Sequence, residues 1–234
     1  MRKNELWFVL AALLLALPTA GAALVENFES YSVGSFVAQT GGAWSGSADW
    51  QVVDDGTGNK VLTLQYPAAD IPLMYTAEGF SSAGNGYRMQ FRMRPESGGY
   101  WASNYSGILC DANASGSEGH RFYPAEGGVF STIGGGGVSD SWSQGWDSTT
   151  YVMIERGGDN VKMWLSGSAI DPMNPGTPNI DTDAPALSGG GTTFGLYGVG
   201  SVYYDDFNVS AIPEPTTMGL LAVGGLCAVL RRKR

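Results

Sequence analysis

The sequence predicts an all-β protein, a two-sheet antiparallel sandwich or jelly roll, and three observations carry that prediction. The chain of 234 residues holds 35 Gly and only 15% charged residues, against usual proportions of roughly 7% and about 25%, so it is rich in turns and poor in surface helices. Aromatic residues make up 12% of it, enough apolar surface to build a packed core despite the glycine. Finally, no long window repeats with the 3.6-residue period of a helix, whereas short alternating segments recur between turn clusters.

Taken from the N-terminus, Met1-Arg2-Lys3 precedes an apolar stretch over residues 6–17 and then Pro18-Thr19-Ala20-Gly21-Ala22-Ala23. Charged, hydrophobic and small-residue regions in that order read as a signal peptide over residues 1–23, cleaved after Ala22 or Ala23. The apolar run falls short of the ~20 residues of a spanning helix, which disfavours an uncleaved anchor.

The domain that follows is expected over residues 24–210. Turn clusters stand at Gly41-Gly42, Asp55-Gly56, Asn85-Gly86, Gly98-Gly99, 113–119, 134–137, 157–160 and 189–191. Between them, Tyr87, Met89, Phe91 and Met93 alternate with Arg88, Gln90, Arg92 and Arg94, so one face is buried and the other wet. The clearest hairpin runs from residues 151–156 through Gly157-Gly158-Asp159-Asn160 into residues 161–165. Trp50 and Trp164 lie in strand-like sequence and belong to the core. Residues 171–191, with Pro172, Pro175, Pro178 and Pro185, read as a long loop in which Asp181 and Asp183 are solvated.

Three stretches, residues 86–95, 146–167 and 194–209, resemble the concanavalin A-like, laminin-G-type jelly roll in content and order. A strand ending in Arg94-Pro95 comes first, then Trp146 opens the hairpin, and Tyr203-Tyr204-Asp205-Asp206-Phe207 closes the domain. The resemblance implies that this last strand pairs with the first, Val25-Glu26-Asn27-Phe28-Glu29. It also implies a structural Ca²⁺ near Glu29 and Asp206, since carboxylate oxygens suit that ion. The other reading is an acidic pair that is solvated or bonded to backbone. Strand alternation puts Asp205 on the face opposite Asp206.

At the C-terminus, Pro213-Glu214-Pro215 precedes an apolar segment over residues 218–230 and the cluster Arg231, Arg232, Lys233 and Arg234. That order, over residues 211–234, resembles the PEP-CTERM sorting signal. The resemblance implies processing by an exosortase-type membrane enzyme in a Gram-negative bacterium and a setting among extracellular polysaccharides. The physics is compatible: the 13 apolar residues form a helix of roughly 20 Å, a marginal span of a ~30 Å hydrocarbon core. The basic cluster holds the terminus on the cytoplasmic side and leaves Pro213, Glu214 and Pro215 at the outer face. A plain membrane anchor without processing is the alternative.

Charge excludes one class of partner. Residues 24–212 carry 7 Lys and Arg against 20 Asp and Glu, a balance of −13. Such a surface repels nucleic acid, whose binding rests on cationic contacts to phosphate; neutral glycans and divalent cations suit it better. Trp101 and Trp142, in Gly- and Ser-rich sequence, are the candidate sugar-stacking platforms, while Trp146 is assigned to the core. The single histidine, His120, has no evident catalytic partner and reads as a surface or hydrogen-bonding residue. No paired-carboxylate run of a retaining glycosidase occurs, and Cys110 and Cys227 lie too far apart in context to form a disulfide. The expectation is an exported, membrane-sorted, non-catalytic protein of the cell envelope or extracellular matrix, associated with glycan. A dedicated carbohydrate-binding module and an unrecognised glycan hydrolase are the alternatives.

Overall fold

Alternation in the sequence becomes two antiparallel sheets in the computed structural model. It describes residues 23–64, 71–75, 86–96, 107–112, 119–123, 129–132, 137–139, 147–183, 193–198 and 202–212. Residues 1–22 of the expected signal peptide, Trp101, Trp142, Trp146, the Pro213-Glu214-Pro215 motif and the basic tail lie outside these residues. Among the described residues no helix is long and apolar enough to cross a membrane, and helical structure amounts to one 3₁₀ turn, Val37–Gln39.

Sixteen strands are described: β1 (Ala23–Glu26), β2 (Gly34–Ser35), β3 (Trp44–Gly46), β4 (Trp50–Asp54), β5 (Lys60–Leu64), β6 (Ile71–Tyr75), β7 (Tyr87–Pro95) and β8 (Gly107–Ala112), followed by β9 (His120–Tyr123), β10 (Val129–Thr132), β11 (Gly137–Ser139), β12 (Thr150–Gly157), β13 (Asn160–Ser166), β14 (Ile180–Asp183), β15 (Thr193–Gly198) and β16 (Val202–Ala211). The larger sheet runs β14-β13-β12-β7-β16-β5-β4-β2, with β1 also on β16. The smaller runs β11-β10-β9-β8-β15-β6-β3. β1 and β5 share one edge of β16, β5 opposite Tyr203 and Tyr204 and β1 opposite Phe207 to Ser210. The first and last strands therefore pair, as expected.

β7 alternates buried and half-buried along its whole length. Tyr87, Met89, Phe91 and Met93 join Val152, Ile154, Met163 and Leu165 on the inner face of the larger sheet, and Ile108, Phe122, Leu196 and Leu73 meet them from the smaller one. An aromatic mass joins the layers: Trp44 stands 5.7 Å from Phe36, 5.0 Å from Tyr75, 6.2 Å from Phe194 and 6.2 Å from Phe207. Tilted and edge-on rings at such distances add to the area they bury. Trp50 is fully buried in the core as expected, whereas Trp164, though nearly buried, stands on the outer face of the larger sheet rather than between the sheets.

Two further expectations are corrected. Part of the proline-rich segment is strand: β14 pairs with β13, setting Asp181 opposite Lys162, with Lys162 Nζ 3.6 Å from its Oδ2. The reason is tertiary. Trp164 and Gln90 point outward from the larger sheet, and residues 170–179 fold back over them, with Trp164 Nε1 donating to the Gly176 carbonyl (3.0 Å) and Gln90 Nε2 to that of Ile170 (3.3 Å). The second concerns His120, for which the surface alternative falls: it is fully buried because it pairs with Cys110 at an inward-facing position of β9.

One glycine is dictated by close approach. Gly195 crosses Leu73 so tightly that a Cβ there would stand 2.4 Å from its carbonyl oxygen, and beside it the β15–β8 register shifts between Thr193 and Gly195.

Candidate functional site

Since β7 buries its odd-numbered residues, Arg88, Gln90, Arg92 and Arg94 stand on the outer face of the larger sheet. The β16 register brings Asp205 opposite Arg92 and Tyr203 opposite Arg94. From Asp205 to Asn208 the β16 chain advances three residues while β7 advances two, and in this bulge Asp206 takes a left-handed backbone with φ 51°. Bulges of this kind turn a side chain that strict alternation would have sent elsewhere.

The result differs from the expectation that the two aspartates face opposite ways. Both carboxylates reach the same guanidinium: Arg92 Nη2 donates to Asp205 Oδ2, and Arg92 Nε lies 2.9 Å from Asp206 Oδ2. The Asp205 side chain is only 4% exposed against 60% for Asp206. Asn59 Nδ2 donates to Asp205 Oδ2 at 2.8 Å, and the Asp206 backbone N–H to Asp205 Oδ1 at 2.7 Å. Burial opposes the charge on Arg92, but the Asp205 hydrogen bond and the two carboxylate charges outweigh it and raise the guanidinium pKa.

Along the sheet, the Arg94 guanidinium lies over the Tyr203 ring, 4.9 Å from its centre, a cation–π contact, and 3.7 Å from Glu96. Burial, followed by the hydrogen bond with Glu96, raises the Tyr203 phenol. The β4–β5 turn supplies the remaining wall. Asp54 Oδ1 accepts the N–H groups of Gly56 (2.8 Å) and Gly58 (3.2 Å), while Asp55 Oδ1 accepts the Thr57 hydroxyl O–H (2.6 Å) and backbone N–H (2.9 Å). These Thr57 bonds, side chain first, lower the Asp55 carboxyl. Together Asp55, Asn59, Arg92, Arg94, Tyr203 and Asp205 line a small, half-open depression.

The residues proposed for Ca²⁺ are otherwise engaged. Glu29 Oε1 accepts the Lys60 backbone N–H at 2.8 Å, and Lys60 Nζ donates to the Glu29 carbonyl at 2.9 Å; Asp206 is held by Arg92. Among the described residues no three His, Cys, Asp or Glu side chains are grouped closely enough to hold a metal ion.

Inside the core lies a second cluster that sequence reasoning missed. Arg156 occupies an inward register position of β12 after Val152 and Ile154, fully buried, and its Nε donates to Asp111 Oδ2 at 2.7 Å. Tyr87 Oη donates to Asp111 Oδ1 at 3.2 Å, and His120 Nε2 lies 4.0 Å from Oδ2. Arg156 Nη1 also donates to the Asn160 carbonyl at 3.1 Å. Burial, then the Asp111 charge, pushes the Cys110 thiol up, and burial likewise lifts the Tyr87 phenol. The available signal was the basic side chain at an apolar phase of an otherwise apolar strand.

Comparison with known proteins places two parts of the chain. Residues 211–234 match the PEP-CTERM protein-sorting motif. No curated protein matches the chain in sequence. In fold it is similar to the carbohydrate-binding module CBM66 from Bacillus subtilis, with a TM-score of 0.52 and 11% identity over 72% of this chain and 95% of that one. It is also similar to the botulinum neurotoxin serotype D binding domain, with a TM-score of 0.50 and 10% identity over 88% of this chain and 51% of that one. The exoplasmic/lumenal domain of VIP36 in its Ca²⁺/Man-bound form is more distant, at a TM-score of 0.47 and 10% identity over 74% of this chain and 84% of that one. At such identities the likeness concerns fold alone. The chain is thus a jelly-roll β-sandwich with a PEP-CTERM protein-sorting motif at its C-terminus.

Proposed function

We propose that this is a non-catalytic protein of the bacterial cell envelope or extracellular matrix, exported, sorted at the membrane by an exosortase-type enzyme, and associated with glycan. The observation that carries the reading is the junction at Ala211, where the central strand of a jelly-roll sandwich runs directly into the sorting motif. That motif indicates export and sorting to the envelope. An acidic domain suits an environment of neutral polysaccharide better than one of nucleic acid.

The non-catalytic reading draws on three carboxylates that arginines hold. Glycoside hydrolysis needs one carboxyl group free to give a proton and another free to attack or to activate water. Here Asp111 is held by Arg156, Asp205 by Arg92, and Glu155 accepts from Arg88 Nε at 2.7 Å.

Intact-mass measurement of membrane and secreted fractions from a native host, wild type beside Glu214→Ala, tests the sorting reading. The expected wild-type product ends near residues 213–215, and Glu214→Ala abolishes it. A full-length C-terminus in both proteins reduces the segment to an ordinary anchor. Reducing-sugar release from host polysaccharide, lost on a single carboxylate substitution, would overturn the non-catalytic reading.

A further inference from the structure

The depression on the outer face of the larger sheet has the make-up of a binding site. The backbone beside it is irregular where a site would need it to be: the β16 bulge and the φ of 51° at Asp206, a non-glycine residue, hold two successive carboxylates on one guanidinium. Asp205, 4% exposed, is kept at the depression by Asn59 and Arg92 together, so its position is fixed before any ligand arrives.

The lining decides the ligand class. Within the lining Asp55 and Asp205 balance Arg92 and Arg94, and Asp206 and Glu96 beside it leave the surroundings negative. Guanidinium and amide groups donate, the carboxylates accept, and the Thr149 and Tyr203 hydroxyls do either. Such an alternation of fixed donors and acceptors beside an aromatic ring matches vicinal hydroxyls on a sugar. An anionic ligand would meet Asp206 and Glu96, which already occupy the two arginines, and a cation would compete with those arginines for the same carboxylates. We propose that this depression binds one neutral, hydroxyl-rich sugar unit of a polysaccharide. The proposal rests on the glycan-associated reading above and names its site.

The test uses the purified full-length chain, as wild type, Asn59→Ala and Tyr203→Ala, with thermal unfolding to confirm that each variant folds. Calorimetric titration employs cellohexaose, maltohexaose, laminarihexaose and xylohexaose, with trigalacturonate as the anionic comparison. Co-sedimentation with the native host's exopolysaccharide is run on the same three proteins. The expected result is binding of at least one neutral hexaose, weakened about tenfold or more in both folded variants through loss of a hydrogen bond or a ring contact, with co-sedimentation weakened in parallel. Binding confined to trigalacturonate overturns the site's ligand class. Hexaose binding or co-sedimentation that is equal in wild type and variants overturns the site and leaves glycan association standing. A wild-type protein that neither binds a hexaose nor co-sediments overturns both.

Discussion

Asp111 in β8 and Asp206 in β16 have the same backbone conformation, each with φ 51°, and each stands where its strand gains one residue on a neighbour. Both carboxylates contact an arginine. The surroundings differ. Asp111 reaches across the core to Arg156 of the other sheet, and both side chains are essentially unexposed. Asp206 stays on the surface of its own sheet, where Arg92 is 32% exposed and a second acid, Asp205, shares the guanidinium. The same local distortion thus ties two sheets together in one place and shapes a depression in the other. Solvent decides between these roles: a charge pair without water must be complete to be tolerated, whereas a pair at the surface can exchange partners cheaply.

That contrast can be broken most severely at Asp111. Asp111→Ala leaves the buried Arg156 charge without its carboxylate and should cost about 3–5 kcal/mol of stability, read from urea unfolding. Replacing both residues, as Asp111→Ala with Arg156→Met, keeps the backbone strain at 111 the same as in the single variant and should recover most of the loss; a double variant no better than Asp111→Ala would show that the ion pair is not the source of the effect.

Asp205→Ala is the intermediate case. The deletion removes a buried acceptor, yet Arg92 keeps Asp206 and water, so a loss of about 1–3 kcal/mol is expected. A cost equal to that of Asp111→Ala would erase the distinction drawn here between core and surface clusters.

Alkaline pH sharpens the comparison further. Cys110 and Tyr87 hold raised pKa values in the folded protein, so above the unfolded thiol's value of about 8.5 the unfolded chain releases protons that the folded one retains. The unfolded state then binds fewer protons, and stability falls as pH rises, at up to about 1.4 kcal/mol per pH unit for each such group. Cys110→Ala should flatten the slope measured between pH 8 and pH 10, whereas Asp205→Ala should leave it unchanged.

The smallest effect belongs to Asp206→Asn. Asn keeps the tolerance for a left-handed backbone and loses only an exposed charge, so a change below about 1 kcal/mol is expected, shrinking further in 1 M salt. A larger, salt-insensitive loss would assign Asp206 a packing role.

The sequence carried most of the scaffold and little of the site. Tyr87 to Arg94 showed its pleat directly because burial on one face leaves a period of two, and the 150–166 hairpin showed itself by its turn residues. The pairing of β1 with β16 came from family resemblance rather than from local pattern, since nothing within either strand encodes a partner so distant. The bulges were invisible for the same reason: Asp205-Asp206 reads as ordinary alternation until β7 and β16 are laid side by side. Asn59, Arg94 and Tyr203 meet only through sheet order, and the strand at 180–183 exists because residues 170–179 fold over Trp164. In each case the missing information was a long-range contact.

The place of β16 bears on the order in which the domain folds. It contacts β7 on one side and β5 and β1 on the other, so until residues 202–211 have emerged the larger sheet lacks its middle and neither half has a neighbour to close against. Pairing β1 with β16 also joins the most distant parts of the domain, the kind of contact that slows folding. Completion of the larger sheet therefore waits for the last residues before the sorting motif, and a chain that stops short of residue 202 leaves both halves of that sheet without their shared centre.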